Sequence, residues 1–292
     1  MKIFSILLTV TGAWAQMSQP MVGENTTKIS DHVQAIMGFP NIAIVVGSRA
    51  TLVVDTGMGP KNGATAARVA AGLAPGTLTT PQKLFLTTTH FHPEHAAGEP
   101  GFPPATILIR NSMQQREMDE RGQQIMDRFS QSSAQNKELL AGVRLRTPDV
   151  TFDREATVDL GGVTVRLLWF GEAHTKGDEL IFVEPDRTLI SGDVVQNKTM
   201  PNISDSGGTP STWLAVLDKI AALNAAHVLP DHSAPGDGSL VEAEKNLILD
   251  IRTKALALKR QGMSADDAGK QVSADLKANA AGFVKSVYAE SQ

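Results

Sequence analysis

The chain has 292 residues, 41% of them hydrophobic, enough to bury a sizeable core in one large or two modest domains. A formal charge of -4, a pI near 6.0 and the lack of a dense Lys/Arg cluster exclude an electrostatic footprint for nucleic acid. Cysteine is absent, which excludes a disulfide framework and any thiolate ligand or nucleophile.

The first 15 residues carry one lysine, a short apolar run and an Ala13-Trp14-Ala15 ending, the layout of a secretory signal peptide cleaved before Gln16. This predicts a secreted or periplasmic protein. The run is too short to span a bilayer, and no other segment approaches transmembrane length, so no membrane partner is expected. Strand-like runs follow at 29–37 and 41–46, then a strand at 51–57 and a helix at 64–73 ended by Pro75-Gly76. A buried strand at 83–89 runs into a His-rich loop and a short helix, and another strand follows at 105–110. Residues 112–143 are polar and helical in propensity, with Met118, Ile125, Met126 and Phe129 on one face. That stripe reads as packing against the core in preference to a lid over a pocket. Three short strands are expected at 149–152, 156–160 and 163–169, then a hairpin joining 180–183 to 188–190. Thr209 as N-cap and Pro210 in the first turn start a helix through 223. A short apolar strand at 227–230 precedes two helical stretches, 247–259 and 264 to the end, with Gly262 between. The alternation of β and α predicts an α/β fold.

The chemistry concentrates in His90-Phe91-His92-Pro93-Glu94-His95. On an extended backbone His90 and His92 point to the same side, while Glu94 and His95 lie past Pro93, where the chain can turn back. Two pairs of metal-ligating side chains can then face one small volume. Only seven histidines occur in the chain, and five of them, His90, His92, His95, His174 and His232, stand where a β-run stops. Asp193 also closes an apolar strand, and the runs 51–57 and 188–193 echo each other in ending on Gly and Asp. His32 and His227 read as ordinary core or surface residues. Asp55 either caps a turn or orients a ligand from behind, and Asp178 and Asp231 are candidates for orienting ligands or ordinary loop residues.

Together these residues resemble the metallo-β-lactamase superfamily, whose His-x-His-x-Asp-His hallmark is followed by a distant His, an Asp and a final His. The series here is His90, His92, Glu94, His95, His174, Asp193 and His232, preceded by Asp55-Thr56-Gly57, and the resemblance spans about residues 30 to 235. It implies a four-layer αββα sandwich of two mixed β-sheets flanked by helices. It implies two divalent metal ions, usually Zn²⁺, with His90, His92 and His174 as ligands of the first, His95 and His232 of the second, and Asp193 as the bridging carboxylate. Glu94 replaces the hallmark aspartate and is one methylene longer. It either reaches the second metal from a displaced backbone or hydrogen-bonds metal-bound water, and this opens Mn²⁺ or Fe beside zinc. On this reading residues 16–240 form the catalytic domain and 241–292 a helical extension packed on it.

The implied activity is hydrolysis by a metal-bound hydroxide, with Glu94 and Asp193 at the catalytic centre and a small carbonyl compound (an ester, lactone or β-lactam) as substrate. Asp193 leans toward glyoxalase II, lactonase and phosphodiesterase-like branches, because antibiotic-hydrolysing members place another residue there. The sole tyrosine, Tyr288, lies in the terminal helix, unlike the site tyrosine of homoserine-lactone hydrolases, and the stretch from Asn197 to Asn202 lacks the Gly-Cys-Gly-Arg segment of glyoxalase II. Alternatives are a β-lactamase proper, a thioester or phosphodiester hydrolase, a di-iron redox protein and a non-catalytic metal binder.

Overall fold

The computed structural model describes residues 21–74, 82–204 and 207–291. The signal-peptide reading of 1–15 and the helix stop at Pro75-Gly76 lie outside the described residues. Strands β1 (Thr27–Lys28), β2 (Val33–Ile36), β3 (Ile42–Val46), β4 (Ala50–Val54), β5 (Lys83–Thr87), β6 (Ile107–Asn111) and β7 (Val150–Phe152) form a first sheet in sequence order. It is antiparallel from β1 to β4 and parallel from β4 to β7. A second sheet runs in the order β13 (Gly236–Asp237), β12 (His227–Pro230), β11 (Thr188–Gly192), β10 (Leu180–Val183), β9 (Thr164–Leu168), β8 (Glu155–Asp159). Its one parallel pair is β11 with β12. Helices α1 (Pro60–Leu73), α2 (Pro93–Ala96), α3 (Ser112–Ser132) and α4 (Ala134–Leu140) belong to the first half of the chain. Helices α5 (Pro210–Ala221), α6 (Ser239–Arg260), α7 (Ala265–Leu276) and α8 (Ala281–Glu290) belong to the second.

The strand sequences explain the layering. Along β3, Ala43 and Val45 face the second sheet, packing in one cluster with Leu167, Ile181, Val183 and Ile190, while Ile42 and Ile44 face α1 and pack with Ala66 and Ala70. Both faces are covered, so the strand reads as a continuous apolar run instead of an alternating one. The outer face of the second sheet, through Leu168, Leu180, Phe182 and Leu189, packs on Trp213, Val216 and Leu217 of α5 and on Ile248, Ile251, Phe283 and Val284 of the C-terminal helices. The result is the four-layer αββα sandwich of two mixed sheets expected from the sequence.

Local departures have local causes. The predicted strand at 29–37 is shortened because Ile29 and Ser30 donate to the Val33 carbonyl and make a turn before β2. The long helix over 112–143 breaks at Ser133, whose backbone is extended and whose hydroxyl accepts the Asn136 N–H as N-cap of α4. The terminal helix divides at Lys277, left-handed at φ 52. The apolar stripe of α3 packs as expected, Met118 and Ile125 being buried with Phe91 and Ala96. Thr209 forms a capping box with Thr212, and Pro210 opens α5.

Candidate metal centre

Central strand β5 delivers the His-rich loop at the edge shared by the two sheets. Past Thr88 the chain bends at each of residues 89–92 and does not run extended as the sequence suggested, and His92, itself in the extended region, is the N-cap of α2 with Pro93 in the first helical position. That single turn brings the His95 ring back to 4.0 Å from the His90 ring, centroid to centroid. The second half of the chain supplies the other residues. His174 comes from the loop after β9. Asp193 follows a register shift between Ile190 and Gly192 at the end of β11, which re-aims the chain. His232 follows β12.

All seven residues of the predicted series meet. His92 Nδ1 lies 3.0 Å from His90 Nε2 and 3.4 Å from His174 Nε2. His95 Nε2 lies 3.2 Å from His232 Nε2 and 3.9 Å from Glu94 Oε1. Asp193 spans the two groups, Oδ2 at 3.4 Å from His174 Nε2 and Oδ1 at 3.2 Å from His232 Nε2. Two clustered sets of metal-ligating atoms are therefore present, His90/His92/His174 and Glu94/His95/His232.

The surroundings decide which ring nitrogens face inward. His174 Nδ1 is 2.5 Å from the Asn202 carbonyl, so it carries the proton and leaves Nε2 bare. His95 Nδ1 faces Asp55 Oδ2 at 3.1 Å and Asp231 Oδ2 at 3.3 Å, which leaves Nε2 as the nitrogen turned toward His232. Asp55, left-handed at φ 67 just past β4, accepts the Thr89 N–H, and the Thr89 hydroxyl donates to Asp231 at 2.9 Å. Asp55 and Asp231 thus sit behind His95 as orienting groups. Asp178 works differently: its carboxylate accepts the Thr175 N–H and hydroxyl, folding the loop that carries His174 without touching the ring. His32 pairs with Asp186 away from the centre, and His227 is exposed at the start of β12.

Electrostatics suit a cation. Burial, reinforced by the neighbouring imidazoles, holds His90 and His92 well below their usual range. Burial lowers His232 to about 4. Burial opposes ionisation of Asp193, but the surrounding imidazoles outweigh it and bring the carboxyl to about 2. Burial lifts Glu94 to about 7. Burial opposes protonation of His95, but Asp55 and Asp231 outweigh it and raise the ring well above its usual range. Neutral His90, His92 and His232, with the positive His95 balanced by the acids around it, form a donor set that a divalent ion completes by displacing a proton. Glu94 Oε2 is buried with no hydrogen-bond partner among the described residues, as a ligand atom would be before its ion binds.

Three contributors carry no metal-site signal in the sequence. Thr89 is one of three consecutive threonines, and Asn202 acts through its backbone carbonyl. Phe39, in the loop between β2 and β3, stacks on His232 with ring centroids 3.9 Å apart.

Two mixed sheets that bring two His-and-carboxylate groups together at their shared edge define a class of metal-binding αββα proteins. The metallo-beta-lactamase superfamily matches residues 36–232, and the chain belongs to that superfamily. It is 28% identical over 135 residues to a linear primary-alkylsulfatase of Pseudomonas sp., a match that takes in 43% of this chain and 25% of the relative. The chain thus spans about a quarter of that relative's length. Among solved structures it is similar to a stereoselective inverting sec-alkylsulfatase from Pseudomonas sp. (TM-score 0.68, 14% identity, 90% of this chain and 49% of that one). It is similar also to a metallo-beta-lactamase from Pontibacter korlensis (TM-score 0.59, 20% identity, 77% of this chain and 99% of that one). No helix among the described residues is long and apolar enough to cross a membrane.

Proposed function

We propose that this chain is a two-metal hydrolase of small carbonyl substrates, an ester, lactone or β-lactam, with zinc in both positions. The observation that carries the reading is the Asp193 carboxylate spanning His90/His92/His174 on one side and Glu94/His95/His232 on the other. On this reading His90, His92 and His174 would hold one ion and Glu94, His95 and His232 the other, with Asp193 as a carboxylate available to both. Bound there, divalent zinc lowers the pKa of water toward neutrality and polarises a substrate oxygen. The chain's own residues do the positioning. The Asn202 carbonyl fixes the tautomer of His174, and Asp55 with Asp231 fixes that of His95. Phe39 shields one face of His232 from water. The substrate enters from solvent on the side where Asp193 remains partly exposed. Residues 1–15 as a secretion signal, 16–240 as the catalytic domain and 241–292 as its helical extension complete the reading, with the periplasm or the exterior as its place of action.

The alkylsulfatase likeness supports a second substrate class, alkyl sulfate esters, on the same centre. Metal analysis of the purified protein, paired with a panel of chromogenic cephalosporin, lactone, aryl ester, phosphodiester and alkyl sulfate, tests both. The expected result is two zinc per chain and turnover of a carbonyl substrate that chelation abolishes and zinc restores, with Glu94→Asp changing the occupancy of one position. Full turnover after metal removal, or iron as the native metal, would overturn the proposal.

A further inference from the structure

We infer that Gln196 is a positioning residue that sets the orientation of the Asp193 carboxylate, and that it ties the C-terminal helix α6 to the metal centre. The inference rests on the two-metal reading above and assigns a residue outside the predicted series. Gln196 is buried. Its Nε2 donates to Asp193 Oδ1 at 3.0 Å and to the Gly192 carbonyl at 3.2 Å, and its Oε1 accepts the Ser233 hydroxyl at 2.7 Å. Ser233 Oγ in turn accepts the Asn197 N–H at 2.8 Å. The nitrogen end of the amide faces two acceptors, the Asp193 carboxylate and the Gly192 carbonyl, which a flipped amide oxygen could not satisfy, so the amide points one way. One side chain therefore links the loop bearing Asp193 to the loop bearing His232.

The link continues outward. The Gln196 backbone N–H is turned to the carboxyl of Glu244 on α6, which is buried, and whose Oε1 has no partner among the described residues. Residue 244 lies beyond the 36–232 stretch shared with the superfamily. Helix α6 thus reaches the centre through one carboxyl, one backbone amide and one side-chain amide. With Gln196 holding Oδ1, the carboxylate plane of Asp193 is set so that Oδ2 turns toward His174.

Two variants test this. Gln196→Met keeps the length and removes the three side-chain hydrogen bonds while leaving the backbone N–H to Glu244. Gln196→Glu keeps the acceptor for Ser233 and sets a carboxylate oxygen against Asp193. Zinc affinity is read by competition with a chromophoric chelator, geometry by the visible spectrum of the cobalt(II)-loaded protein, and folding by thermal unfolding of the metal-free protein. Both variants are expected to lose about 10- to 100-fold in affinity for at least one ion and to shift the cobalt spectrum, with metal-free unfolding still cooperative though at a lower temperature than in the parent. Parent-like affinity and spectrum in both variants would overturn the inference and leave the two-metal reading standing. A parent chain that binds no zinc or cobalt would remove that reading and this inference with it.

Discussion

Replacing Thr89 by valine separates hydrogen bonding from packing behind His95. Thr89 is buried, its hydroxyl lies 2.9 Å from Asp231 Oδ2 and 3.0 Å from Asp55 Oδ2, and its N–H donates to Asp55 Oδ1. Valine keeps the shape and the N–H and removes only the hydroxyl. Burial and the neighbouring Asp55 raise the Asp231 carboxyl well above its usual range, so the bond is that of a neutral pair, about 0.5–1.5 kcal/mol, and the buried carboxyl oxygen left without its donor costs about 1–3 kcal/mol. The added methyl returns at most about 0.8 kcal/mol. The net expected loss is about 2 kcal/mol, roughly thirtyfold in the folding equilibrium. Thr89→Ser keeps the hydroxyl and loses one methyl, at about 1 kcal/mol. Urea unfolding of chelator-treated protein at pH 7 measures both. Burial alone ranks valine above serine, whereas the hydrogen-bond argument ranks serine above valine. A valine variant as stable as the parent would refute the reasoning.

Glu179 offers a pH test. Burial lifts its carboxyl to about 8 from an ordinary 4.5. The folded chain therefore keeps a proton that the unfolded chain releases, and stability falls as pH rises from about 4.5 to about 8. A neutral group also fits the geometry: Thr87 Oγ1 stands 2.5 Å from Glu179 Oε1 and 3.0 Å from the Ile109 carbonyl, and one hydroxyl proton cannot serve both. Glu179→Gln should match the parent near pH 5 and exceed it at pH 8; parallel urea midpoints at the two pH values count against this. Gly192→Ala places a Cβ at φ +56 and 2.8 Å from Thr89 Cβ. A loss of about 1–3 kcal/mol is expected, together with reduced metal content. An alanine variant with the parent's melting temperature and zinc content would show that the loop end tolerates the side chain.

The layers and the seven-residue series were legible in the sequence for physical reasons. Strands covered on both faces are apolar without interruption, as β3 and β10 are, and histidine is scarce enough here that five at strand ends stand out. What was not legible depends on single backbone conformations or on groups without side-chain identity. Lys277 in the left-handed region gives no signal in a helical composition, and a carbonyl such as that of Asn202 belongs to every residue type. Helix α1 begins at Pro60, four residues before the predicted start at Ala64, because Gly59 at φ 84 turns the chain into it without a side-chain cap. The echo between 51–57 and 188–193 proved spatial: Asp55 stands behind His95 while Asp193 stands across from it.

The roof that α6, α7 and α8 make over Trp213 and the outer face of the second sheet has a practical corollary. A fragment trimmed to the boundaries of the shared family stretch would expose Leu168, Phe182, Val216 and Ile220 as one continuous oily surface. Such an excised piece would clump before it could be assayed, so any minimal version for expression or crystallisation should retain the chain through residue 290.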